Sequence, residues 1–416
     1  MRSLSSRFGP LSFYREALAI ALPVMLQQFI MSMVSLVDNF MVAGLGDISM
    51  AAVNVTNQIN FVYIVIINTV CQAGGIYLAQ FRGAGDSGGM QHAYRFKVML
   101  AFLAAVFYFM LCRTIPHKMI ALMTMGNSAQ GEIISVGSGY LRLVSWTLVP
   151  IALSSAIGTS FREIARPKAP LCISAAATVV NTIGNWILIY GNLGAPRLEV
   201  SGAAYATIIA RVFELAVFIV YASMAKAPFF VGITKLFNIH KKLVATILGK
   251  SVMIFISELS WVSSETIMTA MYNRRGGSEV VAGMAAGWTI ANIFFLLFGG
   301  IWTSAGVLVG GALGAGKLDE ARRRAEWLKS GSVAAGFIIA LPGAAVSALL
   351  IPLVFSNLSA AARANSLGLV LVILVYLPLW GLLNIQFAIS RSGGDTAMGM
   401  YVDLLVNTFL FVPGAF

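Results

Sequence analysis

Two intervals of this chain, Ile48 to Phe81 and Val280 to Gly316, contain no Asp, Glu, Lys or Arg. Each exceeds the about 20 apolar residues that a bilayer-crossing helix needs. A membrane β-barrel would instead alternate apolar and polar positions over segments of about ten residues, so the spans are expected to be helical. Only 11 % of the 416 residues are charged and 58 % are hydrophobic, against the about 25 % charged content of soluble proteins. That length allows roughly ten to twelve crossings and excludes a large extramembrane enzyme. Arg2, Arg7 and Arg15 precede a first apolar run, Ala17 to Gly44. The run is too long for a signal-peptide core and reads as a retained helix.

Apolar stretches bounded by Gly, Pro and charge predict an all-α, polytopic fold with helices near 17–44, 52–81, 96–115, 136–160, 169–192, 202–225, 246–273, 280–313, 330–355 and 366–390, and an eleventh from 398. With the N-terminus in the cytoplasm, twenty basic residues fall on that side and six on the other. The positive-inside rule therefore favours a cytoplasmic N-terminus, and the net charge of +12 needs no nucleic acid to explain it. A shift of 231 positions lays Gly75–Gly85 on Gly306–Gly316, both where an even-numbered helix ends. Six spans separate the copies, which predicts a parallel repeat of two bundles: residues 1–228, a cytoplasmic linker over 229–244, and residues 245–416.

Motifs for an enzyme or motor fail on inspection. Gly311-Ala-Leu-Gly-Ala-Gly-Lys317 is followed by Leu318, where a phosphate-binding loop needs Ser or Thr for magnesium. Uphill work must then draw on an ion gradient rather than ATP. Gly83-Ala-Gly-Asp86 matches an intramembrane aspartyl protease string, but its repeat partner ends in Lys317 and the site falls at a helix turn. His92, His117 and His240 do not cluster, and Cys71, Cys112 and Cys172 have no metal-ligand spacing, so no metal cofactor is expected.

Polar residues at bilayer depth are costly, about 2.5–3.5 kcal/mol for a charge on translocon scales, and usually mark a transport path or a pair. Asp38 stands between apolar stretches with no basic residue nearby in its own helix. Desolvation favours the protonated form of a carboxylate so placed, which lets it exchange a proton; carboxylate and amide oxygens could equally ligate sodium. Glu258 and Glu265 are seven apart and share a helix face, as do Asn181 and Asn185, four apart. Arg211 and Glu214, three apart, read as a packing pair. Tryptophans including Trp261 and Trp380 fall in predicted spans and suit a cage for lipophilic cations, or an interfacial anchor.

Across nearly its whole length the chain resembles the multidrug and toxic compound extrusion (MATE) family. The matches include Ala21-Leu-Pro23, Leu36-Val-Asp38-Asn-Phe-Met-Val-Ala-Gly44, Ala79-Gln-Phe-Arg-Gly-Ala-Gly-Asp86, Val180-Asn181-Thr-Ile-Gly-Asn185-Trp, Gly202-Ala-Ala-Tyr-Ala-Thr207, Ser257-Glu258-Leu-Ser-Trp261 and Arg391-Ser-Gly-Gly-Asp395. The resemblance implies two six-helix bundles that alternate access, in a monomer spanning a bacterial-type inner membrane. The bundles would exchange H+ or Na+ for an organic cation. By this likeness Asp38, Asn181, Asn185, Thr207 and Glu258 couple the ion, with Asp38 and Asn181 a possible Na+ site, while Glu265, Trp261 and Trp380 face substrate. Two departures stand out: Asn185 occupies a place that is often Asp, and Trp380 one where some members have Asp. Family members look like twelve-helix proteins, so a chain ending at Phe416 is expected to have a truncated second bundle. A flippase for lipid-linked precursors is the alternative within the superfamily; a protease using Asp86 is a remote one.

Overall fold

The computed structural model describes residues 7–125, 129–236 and 241–414. The elements are α1 (Leu11–Ala43), α2 (Asp47–Ala84), α3 (Ser87–Thr114), α4 (Pro116–Met123), α5 (Gln130–Val144), α6 (Leu148–Glu163), α7 (Lys168–Tyr190), α8 (Glu199–Met224), α9 (Lys241–Arg275), α10 (Ser278–Ala305), α11 (Gly311–Gly314), α12 (Leu318–Val354), α13 (Ala360–Ser392), α14 (Ala397–Val406) and α15 (Val412–Gly414). Short 3-10 or π turns join α5 to α6, α10 to α11 and α14 to α15. Among the described residues, 11 helical segments are long and apolar enough to cross a membrane. Each overlaps one of the spans expected from the sequence. His240 lies outside the described residues.

The chain divides into two compact units: one holds residues 1–25, 79–85 and 248–416, the other 26–78 and 86–247. We call them unit 1 and unit 2. In unit 2, α7 and α8 pack closely because Gly202 meets the Leu188 backbone and Gly184 meets Ala206. Small residues do this work in lipid, where apolar burial between helices gains little. Tyr63 and Tyr108, buried on α2 and α3, donate to the carbonyls of Leu148 and Ile59 at 2.6 Å each. Asp86 caps α3 by accepting from the Gly89 amide at 2.9 Å, a structural turn at the string that resembles a protease motif. Cys71 and Cys112 are buried, whereas Cys172 is exposed.

In unit 1, Ile290, Ile351, Val370, Leu374 and Leu377 form a core between α10, α12 and α13. Gly283 and Gly336 sit against the backbones of Ala362 and Pro378. The other side of α12 exposes Phe337, Ile338, Leu341, Leu349 and Leu353, a surface suited to acyl chains.

Gly85 and Gly316 both adopt left-handed φ, +70° and +73°. Gly83 packs against the carbonyl of Gly311, and Gly314 packs against that of Gln80. No Cβ fits at Gly83 or Gly314, whereas Gly311 has open space. Gly314→Ala is therefore expected to lower stability by about 1–3 kcal/mol through overpacking, and Gly311→Ala to be nearly silent. Thermal denaturation of the detergent-solubilised protein compares the two directly.

Candidate functional site

The polar residues of unit 2 converge from three helices. On α7, Ser174, Asn181 and Asn185 follow at spacings of seven and four and share one stripe; on α8, Thr207, Arg211 and Glu214 follow at spacings of four and three and share another. Gln27 and Asp38 come from α1. Asp38, half-buried, accepts from Asn185 Nδ2 through Oδ1 at 2.7 Å. Among the described residues it forms no ion pair. Asn181 and Asn185 are buried, at 7 % and 2 % exposure.

The Asn181 amide nitrogen donates to Asp38 Oδ1 and Oδ2 at 3.2 and 3.0 Å, which leaves the amide oxygen toward the Thr207 hydroxyl. Asn185 Oδ1 is buried with no partner, an acceptor aimed into the same cluster and open to a donor or a cation.

Toward the N-terminal end of α1, a second cluster adjoins. Arg211 donates to Glu214 Oε2 at 2.8 Å, Ser174 Oγ donates to Glu214 Oε1 at 2.8 Å, and Gln27 Nε2 donates to Ser174 Oγ at 2.8 Å.

In unit 1, Glu258 on α9 pairs with Arg391 of α13 through Oε1 at 3.2 Å. Arg391 also donates to Ser257 Oγ at 3.2 Å and lies over the Trp302 ring, 4.6 Å from its centroid. Ser257 in turn hydrogen-bonds Asp403 of α14, whose carbonyl accepts from Ser260 at 3.3 Å. Trp380 stands edge-on to Phe295 at 5.0 Å. Trp261 is 53 % exposed and Glu265 half-buried, both on α9.

The MatE family model matches residues 23–187 and 254–416. The chain belongs to the MatE family. It is 25 % identical over 294 residues to the uncharacterized transporter YisQ of Bacillus subtilis, a match covering 69 % of this chain and 62 % of that protein. It is 26 % identical over 401 residues to a probable multidrug resistance protein NorM of Bradyrhizobium diazoefficiens, covering 92 % of this chain and 82 % of that one. A crystal structure of MATE in the straight conformation superposes with a TM-score of 0.83 at 18 % identity, covering 99 % of this chain and 89 % of that chain. These findings establish the MatE family and its fold.

Within this MatE protein the structure adds residues that hydropathy passes over. Lys97 and Arg391, counted from sequence on the cytoplasmic side, are buried within their helices at 0 % and 5 % exposure. Asp403 is absent from the sequence-based candidates, although it is the only charged residue in Ala397–Gly414 and that isolation was a usable signal. Lys97, Arg211 and Arg391 each pair with an acid, at 2.8, 2.8 and 3.2 Å.

Proposed function

We propose that this MatE protein is a cation-coupled antiporter that exports amphipathic organic cations by alternating access across a bacterial-type inner membrane, acting as a monomer with its N-terminus in the cytoplasm. The coupling ion is H+ or Na+, held at Asp38 with Asn181, Asn185 and Thr207. Glu258 takes part from unit 1, and Glu265, Trp261 and Trp380 line the substrate's path. The single observation that carries this reading is the Asp38 cluster: a half-buried carboxylate that forms no ion pair among the described residues, held by the Asn185 and Asn181 amides and close to the partnerless Asn185 Oδ1. Such a site distinguishes the ion-loaded from the ion-free state. Only a difference of that kind in affinity can drive one facing state toward the other. The multidrug resistance names of its relatives support the substrate class.

Inverted membrane vesicles carrying a lipophilic cationic dye test this reading, with proton and sodium gradients imposed separately. One gradient should drive dye transport, and dissipating it should abolish the signal. Dye movement indifferent to both gradients would overturn the proposal.

A further inference from the structure

Arg211 pairs with Glu214 three residues further along α8. Arg211 is one helical turn from Thr207 on the same stripe of α8, and Thr207 meets Asn181, which meets Asp38. Its side chain keeps 31 % of its surface exposed while Glu214 keeps 6 %, so the arginine has room to move and the acid does not. The positive charge of Arg211 also acts on the Asp38 carboxyl. Tyr140 of α5 is also within electrostatic reach of Asp38, and α7 presents the uncharged Asn181 and Asn185 to it.

We propose that Arg211 is a counter-cation shared between two acids, resting on Glu214 while Asp38 carries the coupling ion and moving toward Asp38 when that ion leaves. The proposal rests on Asp38 being the coupling group. Asp38, Glu214 and Arg211 together carry one net negative charge, and Arg162 is a further cation within electrostatic reach of Glu214. Arg211 sets how tightly the ion is held. A fixed positive neighbour weakens binding of any cation at Asp38, and Glu214, by holding Arg211 back, restores it.

The test is equilibrium binding of a lipophilic cationic dye to the purified protein, displaced by increasing concentrations of whichever ion drives efflux. Arg211→Gln removes the positive neighbour, so the ion concentration that displaces half the dye should fall about tenfold. Glu214→Gln keeps the volume and the acceptor for Ser174 but frees Arg211 for Asp38, so that concentration should rise about tenfold. Arg211→Lys should stay near the parent value. The double variant Arg211→Gln/Glu214→Gln, which removes both members of the pair together, should lie between the singles. Half-displacement unchanged in Glu214→Gln, or shifted the same way in both single variants, would show a closed packing pair and overturn the proposal. Should Arg211→Gln fail to fold, Glu214→Gln against Glu214→Asp decides the case alone. Asp38→Asn serves as the separate control. If the ion still displaces dye there, the coupling assignment itself fails; if it does not, and the Arg211 and Glu214 variants match the parent, only the shared counter-cation fails.

Discussion

Asp38→Asn is expected to bring gradient-driven dye efflux down to the level of vesicles lacking the protein, while the variant accumulates and melts as the parent does. The two halves of that expectation have different causes. An amide oxygen at this position can still accept from Asn185 Nδ2, which now sits 2.7 Å from Asp38 Oδ1, and from the Asn181 amide nitrogen. The hydrogen bonds survive and a half-buried charge is removed, so folding loses little. What disappears is the exchange. Turning a two-state equilibrium from one side to the other takes on the order of 5.5 kcal/mol of differential binding, and an uncharged amide cannot supply it by gaining and losing a proton or a sodium ion. The variant should resemble a permanently loaded site, binding dye weakly and without response to the driving ion. Efflux at the parent rate would move the coupling to unit 1, where Glu258 and Asp403 flank Arg391.

Residue type revealed the components of this site, and chain distance concealed its connections. Asp38, Asn181 and Asn185 stand out because each is polar within an apolar helix, yet nothing local says that Asn185 reaches Asp38 across 147 positions. Arg211 and Glu214 are legible as a pair at three residues' spacing; that Ser174 and Gln27 extend the cluster is set by how α1, α7 and α8 meet. The helices themselves follow from hydropathy, with errors at their ends. Hydropathy starts the ninth span at 330, but α12 begins at Leu318. Its first turns are charged and stay helical through pairs at three- and four-residue spacing, Arg324–Glu320 at 2.6 Å and Lys329–Glu326 at 2.5 Å. The same bias hides Lys97. A charge near a predicted boundary is assigned to the boundary, although α3 starts at Ser87 and carries Lys97 ten residues into the helix.

That buried lysine carries the largest expected effect on stability. Lys97 Nζ is fully enclosed and donates to Glu163 Oε1 and Oε2 at 3.1 and 2.8 Å and to Ser160 Oγ at 3.0 Å. Gly74 and Gly75 on α2 make the space: a Cβ at Gly74 would strike the lysine stem and one at Gly75 the Glu163 carboxylate. A charge so enclosed is tolerated only because its partner neutralises it and all its donors are used. Lys97→Met keeps the stem's volume and leaves Glu163 as an uncompensated carboxylate, which costs about 3–5 kcal/mol for a buried pair. Arg162, adjacent in sequence and in electrostatic reach of Glu163, offers partial compensation and places the expected loss at the lower end of that range. Removing both charges removes the desolvation cost along with the attraction. The double variant Lys97→Met/Glu163→Gln should therefore recover most of the stability lost by the single one. Denaturant titration of the purified protein in mixed micelles measures both. A double variant no more stable than Lys97→Met would mean that the carboxylate left at Glu163 is not what costs the single variant its stability.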